Sequence, residues 1–258
     1  MSSRKILFRF KTVQTNAIRI LFESLKNILA DVNFKADKSG LKLTTIDGTS
    51  NAIVNLFLMQ DKFEEYICTE NINIGVNLTS VFKILKGIKH TDTISFTVYA
   101  EDQTDMYIES QHSEKRSTIT SKIKLLDMDE KIYNIPDISF NSYITMPSSD
   151  FQTYISDLSN ISSEIEFRSN CNNLTLRSIG DFAEQIIKIN DTNKDIEDID
   201  EGSIEQVGLY NIKYIQLFTK STNLCGTVEI YLKTGYPLTI LYNVANLGQI
   251  KYCLAPKI

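Results

Sequence analysis

Turned at about 100° per residue, residues 13–30 gather Ile18, Leu21, Leu25, Ile28 and Leu29 on one side and Arg19, Glu23 and Lys26 on the other. That division describes an amphipathic helix with one face meant for a core. Residues 79–86 repeat the pattern, with Val81, Phe82, Ile84 and Leu85 inward and Lys83 and Lys86 outward. Residues 149–160 open on Ser149 and Gln152, the spacing of a capping box, and residues 209–220 set Lys213, Gln216 and Lys220 on one face. Segments rich in Ile, Val, Leu and Thr between these helices predict strands. Two of them, "DTISFTVYAEDQTDMYIES" and "GTVEIYLKTGYPLTILYN", read as hairpins.

The order repeats. "SGLKLTTIDG" around Leu41 returns as "NNLTLRSIGD" around Leu174, 133 positions later, and Lys86 in "LKGIKHTDTISFTVYA" is answered by Lys220 in "TKSTNLCGTVEIYLKT" at 134. Nearly equal offsets point to duplication. Each half starts on a helix, continues in strands, adds a second helix and closes on a hairpin. The expected fold is therefore α+β, two similar domains, each with a sheet covered on one face by a helix pair. The N-terminal domain spans 1–125, a connector 126–140 and the C-terminal domain 141–258. The connector lies in "LLDMDEKIYNIPDISF", which is acidic, lacks helical period and contains Pro136. The run "INDTNKDIEDIDEG" is read as an acidic surface loop without chemistry.

Composition removes several function classes. No stretch reaches the roughly 18 apolar residues of a membrane span, and "MSSRKILFRF" lacks a secretory pattern. Cys68, Cys171, Cys225 and Cys253 form no C-x-x-C and have only His90 and His112 to assist, so no metal site is expected. Phosphate-loop and nucleophile-elbow motifs are absent. Neither an enzyme nor a cofactor is expected. The net charge of −5 argues against coating nucleic acid by bulk positive charge. A lysine-bearing helix face is ordinarily just a solvated face, but three such faces at repeat-related positions would make a local basic surface. Duplex DNA, contacted without base reading, is the natural partner for it.

The chain resembles the proliferating cell nuclear antigen family of DNA sliding clamps. The resemblance is carried by "GVNLTSVFKILK" (75–86), "KLLDMD" (124–129), "MPSSDFQTYISDLSNI" (146–161), "LFTKST" (217–222) and "LGQIKYCLAPKI" (247–258). It implies a homotrimeric ring of two-domain subunits, with helices lining the inside and β-sheets outside, that encircles duplex DNA as a polymerase processivity factor. DNA polymerase, a clamp loader and other proteins bearing a glutamine–aliphatic–diaromatic motif are the implied partners. Location follows as nuclear, or a cytoplasmic replication site if the source is viral. The implied DNA-facing residues are Arg19, Lys26, Lys83, Lys86, Lys213 and Lys220, the set already selected by the helix faces.

The resemblance also implies a hydrophobic partner pocket from Ile46, Ile53, Ile135, Pro136, Pro237, Cys253, Leu254, Ala255 and Pro256, of which Ile53 alone fits an ordinary core role. Its implied subunit edges are 117–125 and 181–189. The chain departs from the family pattern in places. The third helix exposes Thr153, Ser156, Asp157 and Asn160 instead of cations; Ile20 replaces a basic residue; Cys253 replaces an aromatic; and Cys171 falls near a modified lysine of relatives. Two other classes stay open: a clamp-like subunit of a heterotrimeric checkpoint ring or a non-encircling accessory protein, and a DNA-processing enzyme.

Overall fold

The computed structural model describes residues 4–112, 117–129, 133, 140, 143–170, 173–190 and 205–257. Two compact units emerge. The first comprises Met1–Gly48, Val54–Tyr133 and Asn243–Ile250; the second comprises Thr49–Ile53, Asn134–Tyr242 and Lys251–Ile258. Both contain two helices between runs of antiparallel strands.

The first half of the chain forms β1 (Ile6–Thr12), α1 (Thr15–Leu25), β2 (Asp31–Asp37), β3 (Gly40–Ile46), β4 (Ala52–Met59), β5 (Glu65–Cys68), β6 (Ile72–Asn77), α2 (Leu78–Leu85), β7 (Thr93–Tyr99), β8 (Asp102–His112) and β9 (Ser117–Lys124). Strands order as β5-β1-β7-β8-β9 in one sheet and β4-β3-β2-β6 in another run. The expected single sheet per half is thus two. Phe22 of α1 explains how both are held. Its ring stacks 6.0 Å from Phe96 on β7 and lies 5.8 Å from Phe34 on β2. One helix face therefore seals two sheets, with Ile18, Leu21 and Leu25 fully buried beside it.

The second half repeats the plan: β10 (Tyr143–Pro147), α3 (Ser148–Ser159), β11 (Glu164–Asn170), β12 (Asn173–Ile179), β13 (Glu184–Asn190), β14 (Gln206–Asn211), α4 (Ile212–Phe218), β15 (Thr227–Tyr231), β16 (Leu238–Val244) and β17 (Gly248–Leu254). Its strands order as β13-β12-β11-β14 and β10-β15-β16-β17. Here Phe218 stacks on Tyr252 at 4.6 Å, and Ser221 and Tyr252 share a buried 2.7 Å hydrogen bond. The duplication is visible atom by atom. Asn77 caps α2 by accepting from the Ser80 amide at 2.9 Å, and Asn211, 134 positions on, caps α4 by accepting from Lys213 at 3.0 Å.

Several expectations are corrected. Each half opens on a strand rather than a helix; in β1 the alternation of buried Phe8, Phe10 and Thr12 has period two. The first helix ends at Leu25, five residues early, because Asn27 and Ile28 close tighter turns onto Ser24 and Leu25. The fourth does not begin at Leu209, which belongs to β14, and its last turn becomes a 3-10 segment, Thr219–Leu224. The capping box at Ser149 does not form. The helix starts at Ser148 with Pro147 as the preceding residue, so Ser149 lies inside the first turn and is not the cap. Gln152 instead donates to the Thr219 carbonyl at 3.1 Å. Both predicted hairpins are present as β7–β8 and β15–β16. Ile135, Pro136, Cys171 and residues 191–204 lie outside the described residues.

Candidate nucleic-acid interface

α1 and α2 pack side by side in the first unit, and their outer surface carries four cations. Arg19 and Lys26 are half-exposed and Lys83 and Lys86 exposed. Arg19 is steadied by donating to Asn16 Oδ1 at 2.7 Å. Lys26 reaches across to the neighbouring helix and sits 4.7 Å from the ring centre of Phe82. That contact explains why Phe82, expected inward, is only half-buried: its ring face supports a cation. Ile20, at 8% exposure, belongs to the core, so nothing basic fits there.

In the second unit Lys213 and Lys220 are exposed on α4 and the 3-10 turn after it. α3 contributes no cation; Thr153, Ser156, Asp157 and Asn160 form its exposed face, as the sequence pattern anticipated. Among the described residues none of the six cations is ion-paired. By contrast Lys42, Lys122, Arg168, Arg177 and Lys257 all sit within 4 Å of a carboxylate. A cation without an ion pair gives up at most a contact with a neutral group to meet an external anion, whereas a paired one must first give up its carboxylate.

The remaining candidate residues concern apolar surfaces. β17 alternates, so Tyr252 and Leu254 enter the core at 0% and 1% exposure while Cys253 faces the other way, half-buried. The Ala255 amide donates to Asn51 at 2.9 Å, a register that sets Ile53 opposite Cys253. Ile53 is itself half-buried, so the two assignments exchange: Leu254 is core and Ile53 is surface wall. Burial pushes the Cys253 thiol up, so it rests as a neutral apolar group. Ala255 is exposed, Pro237 and Pro256 are half-exposed, and the Lys257 amide ties the segment down by donating to Leu209 at 2.8 Å.

Ile46, on the first unit, lines a separate cleft of 720 Å³ with Ile28, Val32, Met128 and Tyr133, and with Asp31, Lys35, Lys42 and Asp129 as charged lining. Among the described residues, Ile46 is the one predicted pocket residue that lines it. Met128 went unselected because an irregular, acidic stretch gives no period from which to assign a facing side. Among the described residues no cluster of His, Cys, Asp or Glu is placed to hold a metal ion, and no helix is long and apolar enough to cross a membrane.

Comparison with known proteins bears on this arrangement. The family models described as "Proliferating cell nuclear antigen, N-terminal domain" and "Proliferating cell nuclear antigen, C-terminal domain" match residues 7–132 and 134–257. The chain belongs to the proliferating cell nuclear antigen family. Similar proteins include the "Probable DNA polymerase sliding clamp 1" of Paramecium bursaria Chlorella virus 1, 32% identical over 266 residues and covering 99% of each chain. The crystal structure of proliferating cellular nuclear antigen from Entamoeba histolytica has the same fold, with a TM-score of 0.87 at 24% identity, covering 98% of this chain and 100% of that one.

As a member of the family the chain also exposes two notable sheet edges. β9 pairs only with β8, and β13 only with β12, leaving one side of each open. Both carry or adjoin exposed apolar side chains among polar ones. Ile119 on β9 is 65% exposed; Ile179, Phe182 and Ile186, on or beside β12–β13, are 57%, 76% and 49% exposed. Two other edges are met from within the chain, β6 by Leu126 and β14 by Lys257, whereas β5 and β10, like β9 and β13, are terminal strands with a ladder on one side. Open apolar edges invite a further strand.

Proposed function

We propose that this protein is a DNA sliding clamp and polymerase processivity factor that works as a homotrimeric ring around duplex DNA. The observation that carries the proposal is that three of the four helices of an acidic chain present cations with no ion-pair partner among the described residues. Facing a threaded duplex, such cations make weak, salt-screened contacts with phosphate and read no bases. Retention comes from enclosure, and the weak contacts leave the ring free to slide. The edges β9 and β13 support head-to-tail closure, since pairing one copy's β9 with the next copy's β13 removes both from solvent.

Partners dock on the apolar surfaces. DNA polymerase, a clamp loader and other replication and repair proteins offer a short turn with an aliphatic and two aromatic side chains, anchored by a glutamine. The receiving residues are Ile46 in the cleft and the wall of Ile53, Pro237, Cys253, Ala255 and Pro256, with Ile135 and Pro136 on the connector. Large side chains entering apolar recesses dominate such binding. The clamp works at sites of DNA replication and performs no chemistry itself.

The test is replacement of Lys26, Lys83 and Lys220 by alanine. Loading and polymerase stimulation should weaken while the particle keeps three times the 29.4 kDa chain mass in light scattering. Unchanged stimulation at moderate salt rules out the helix cations. A monomer mass for the unmodified chain rules out the ring and favours the non-encircling accessory alternative.

A further inference from the structure

The two helix pairs differ in charge far more than their common origin requires. α1 and α2 with their capping residues carry Arg19, Lys26, Lys83 and Lys86 against Glu23 alone, a net +3. α3, α4 and the following 3-10 turn carry Lys213 and Lys220 against Asp150 and Asp157, a net of zero. All four of these last groups are exposed. Neighbouring helices lie about 8–10 Å apart, close to the ~8 Å Debye length at physiological salt, so charges on one pair act on a phosphate together.

The repeat register gives a structural cause. An offset of 133 equates Arg19 with Gln152 and Lys26 with Ser159. In the second unit both positions are occupied in holding the helices together: Gln152 donates to the Thr219 carbonyl at 3.1 Å, and Gln216 donates to Ser159 Oγ at 2.7 Å. In the first unit the same positions are freed for cations, and helix contact is supplied by Lys26 over Phe82. The second unit has exchanged phosphate-facing charge for neutral hydrogen bonds between its helices.

We propose that phosphate contact is made by the α1–α2 pair, and that α3–α4 is a near-neutral surface that passes DNA without gripping it. The proposal rests on the sliding-clamp function above. In a ring of three copies, attractive arcs then alternate with neutral ones, and a duplex is drawn toward one arc at a time.

The experiment measures binding of a short random-sequence duplex to the intact assembly by fluorescence anisotropy over a salt series. Each phosphate contact contributes about 0.9 to the slope of log affinity against log salt. Lys83→Ala/Lys86→Ala should lower that slope by about 1–2. Lys213→Ala/Lys220→Ala should lower it by less than a third as much, and Asp157→Lys should raise it by up to about 1. Light scattering and thermal melting on each variant check that the assembly is intact. Equal losses from the two double variants, or no gain from Asp157→Lys, overturn the asymmetry while leaving the DNA-facing role of the helices standing. A salt-independent affinity untouched by either double variant removes that role itself.

Discussion

Phe182 is the sharpest handle on assembly. It follows β12 immediately before β13, 76% exposed, with Ile179 and Ile186 nearby also open to solvent. A phenylalanine left in water at such a site is favoured only if another surface covers it. Full burial of the side chain is worth about 1.5–3 kcal/mol; covering the exposed three-quarters recovers about 1–2 kcal/mol at each junction. Phe182→Ala therefore weakens each junction by about a factor of ten. A closed trimer has three equal junctions, so its dissociation constant rises roughly a thousandfold. The concentration at half-dissociation, which scales as the square root, rises about thirtyfold. Sedimentation across a dilution series measures that midpoint directly. The monomer itself loses almost nothing, because the ring makes few internal contacts, and its melting temperature after dissociation should match the parent. An unchanged midpoint refutes the assignment of β13 as a junction edge. A fall in monomer stability with no change in midpoint shows that the ring packs within its own chain.

Two further outcomes test local physics. The Asp37 carboxyl is pushed upward by partial burial, but hydrogen bonds from Lys42 and Ser39 outweigh this and hold it down at about 2. A depressed carboxylate contributes stability that is complete above its unfolded value of about 3.9 and is lost as pH falls through the folded one. Asp37→Asn should therefore flatten the decline in melting temperature between about pH 4 and pH 2; an unaltered decline excludes the pair as its source. At Gly75 an added Cβ would meet the Leu126 carbonyl oxygen at 2.2 Å. Gly75→Ala should cost about 1–3 kcal/mol in chemical denaturation, and a neutral result would mean that the Leu126 bridge yields easily.

Periodicity carried most of the architecture before any coordinate was known, because a helix face or hairpin is a local pattern. Ile18, Leu21 and Leu25 had to share a side, and they are buried together. Equal offsets located the duplication, and its clearest mark is the pair of capping asparagines, Asn77 and Asn211. What periodicity could not supply was anything decided by a distant partner. Phe82 reads as core until Lys26 from another helix is seen over its ring. Gln152 reads as half of a capping box until the helix starts at Ser148, leaving Ser149 inside the first turn, and Thr219 offers a carbonyl. Leu254 and Ile53 exchanged roles because facing in β4 and β17 is set by a register that pairs strands 200 residues apart. The cations were legible because an exposed charge is chosen by its own helix alone.

Those cations also explain how an acidic protein can use DNA without clinging to it. At −5 overall, the chain repels phosphate at long range. On its sheets many positive groups are already spent: Lys122 is held by Asp102 and Asp105, Arg168 by Glu166, and Arg177 by Glu184. At those positions a duplex approaching a sheet meets neutralised charge on an acidic background. The helix layer groups Arg19, Lys26, Lys83, Lys86, Lys213 and Lys220 with no ion-pair partner among the described residues, and they attract over about one Debye length. In the proposed ring, retention of an enclosed duplex thus needs no base contact and no tight site. It requires that cations be grouped without carboxylate partners where DNA is wanted, and the α1–α2 pair meets that condition, with Glu23 its one acidic residue against Arg19, Lys26, Lys83 and Lys86.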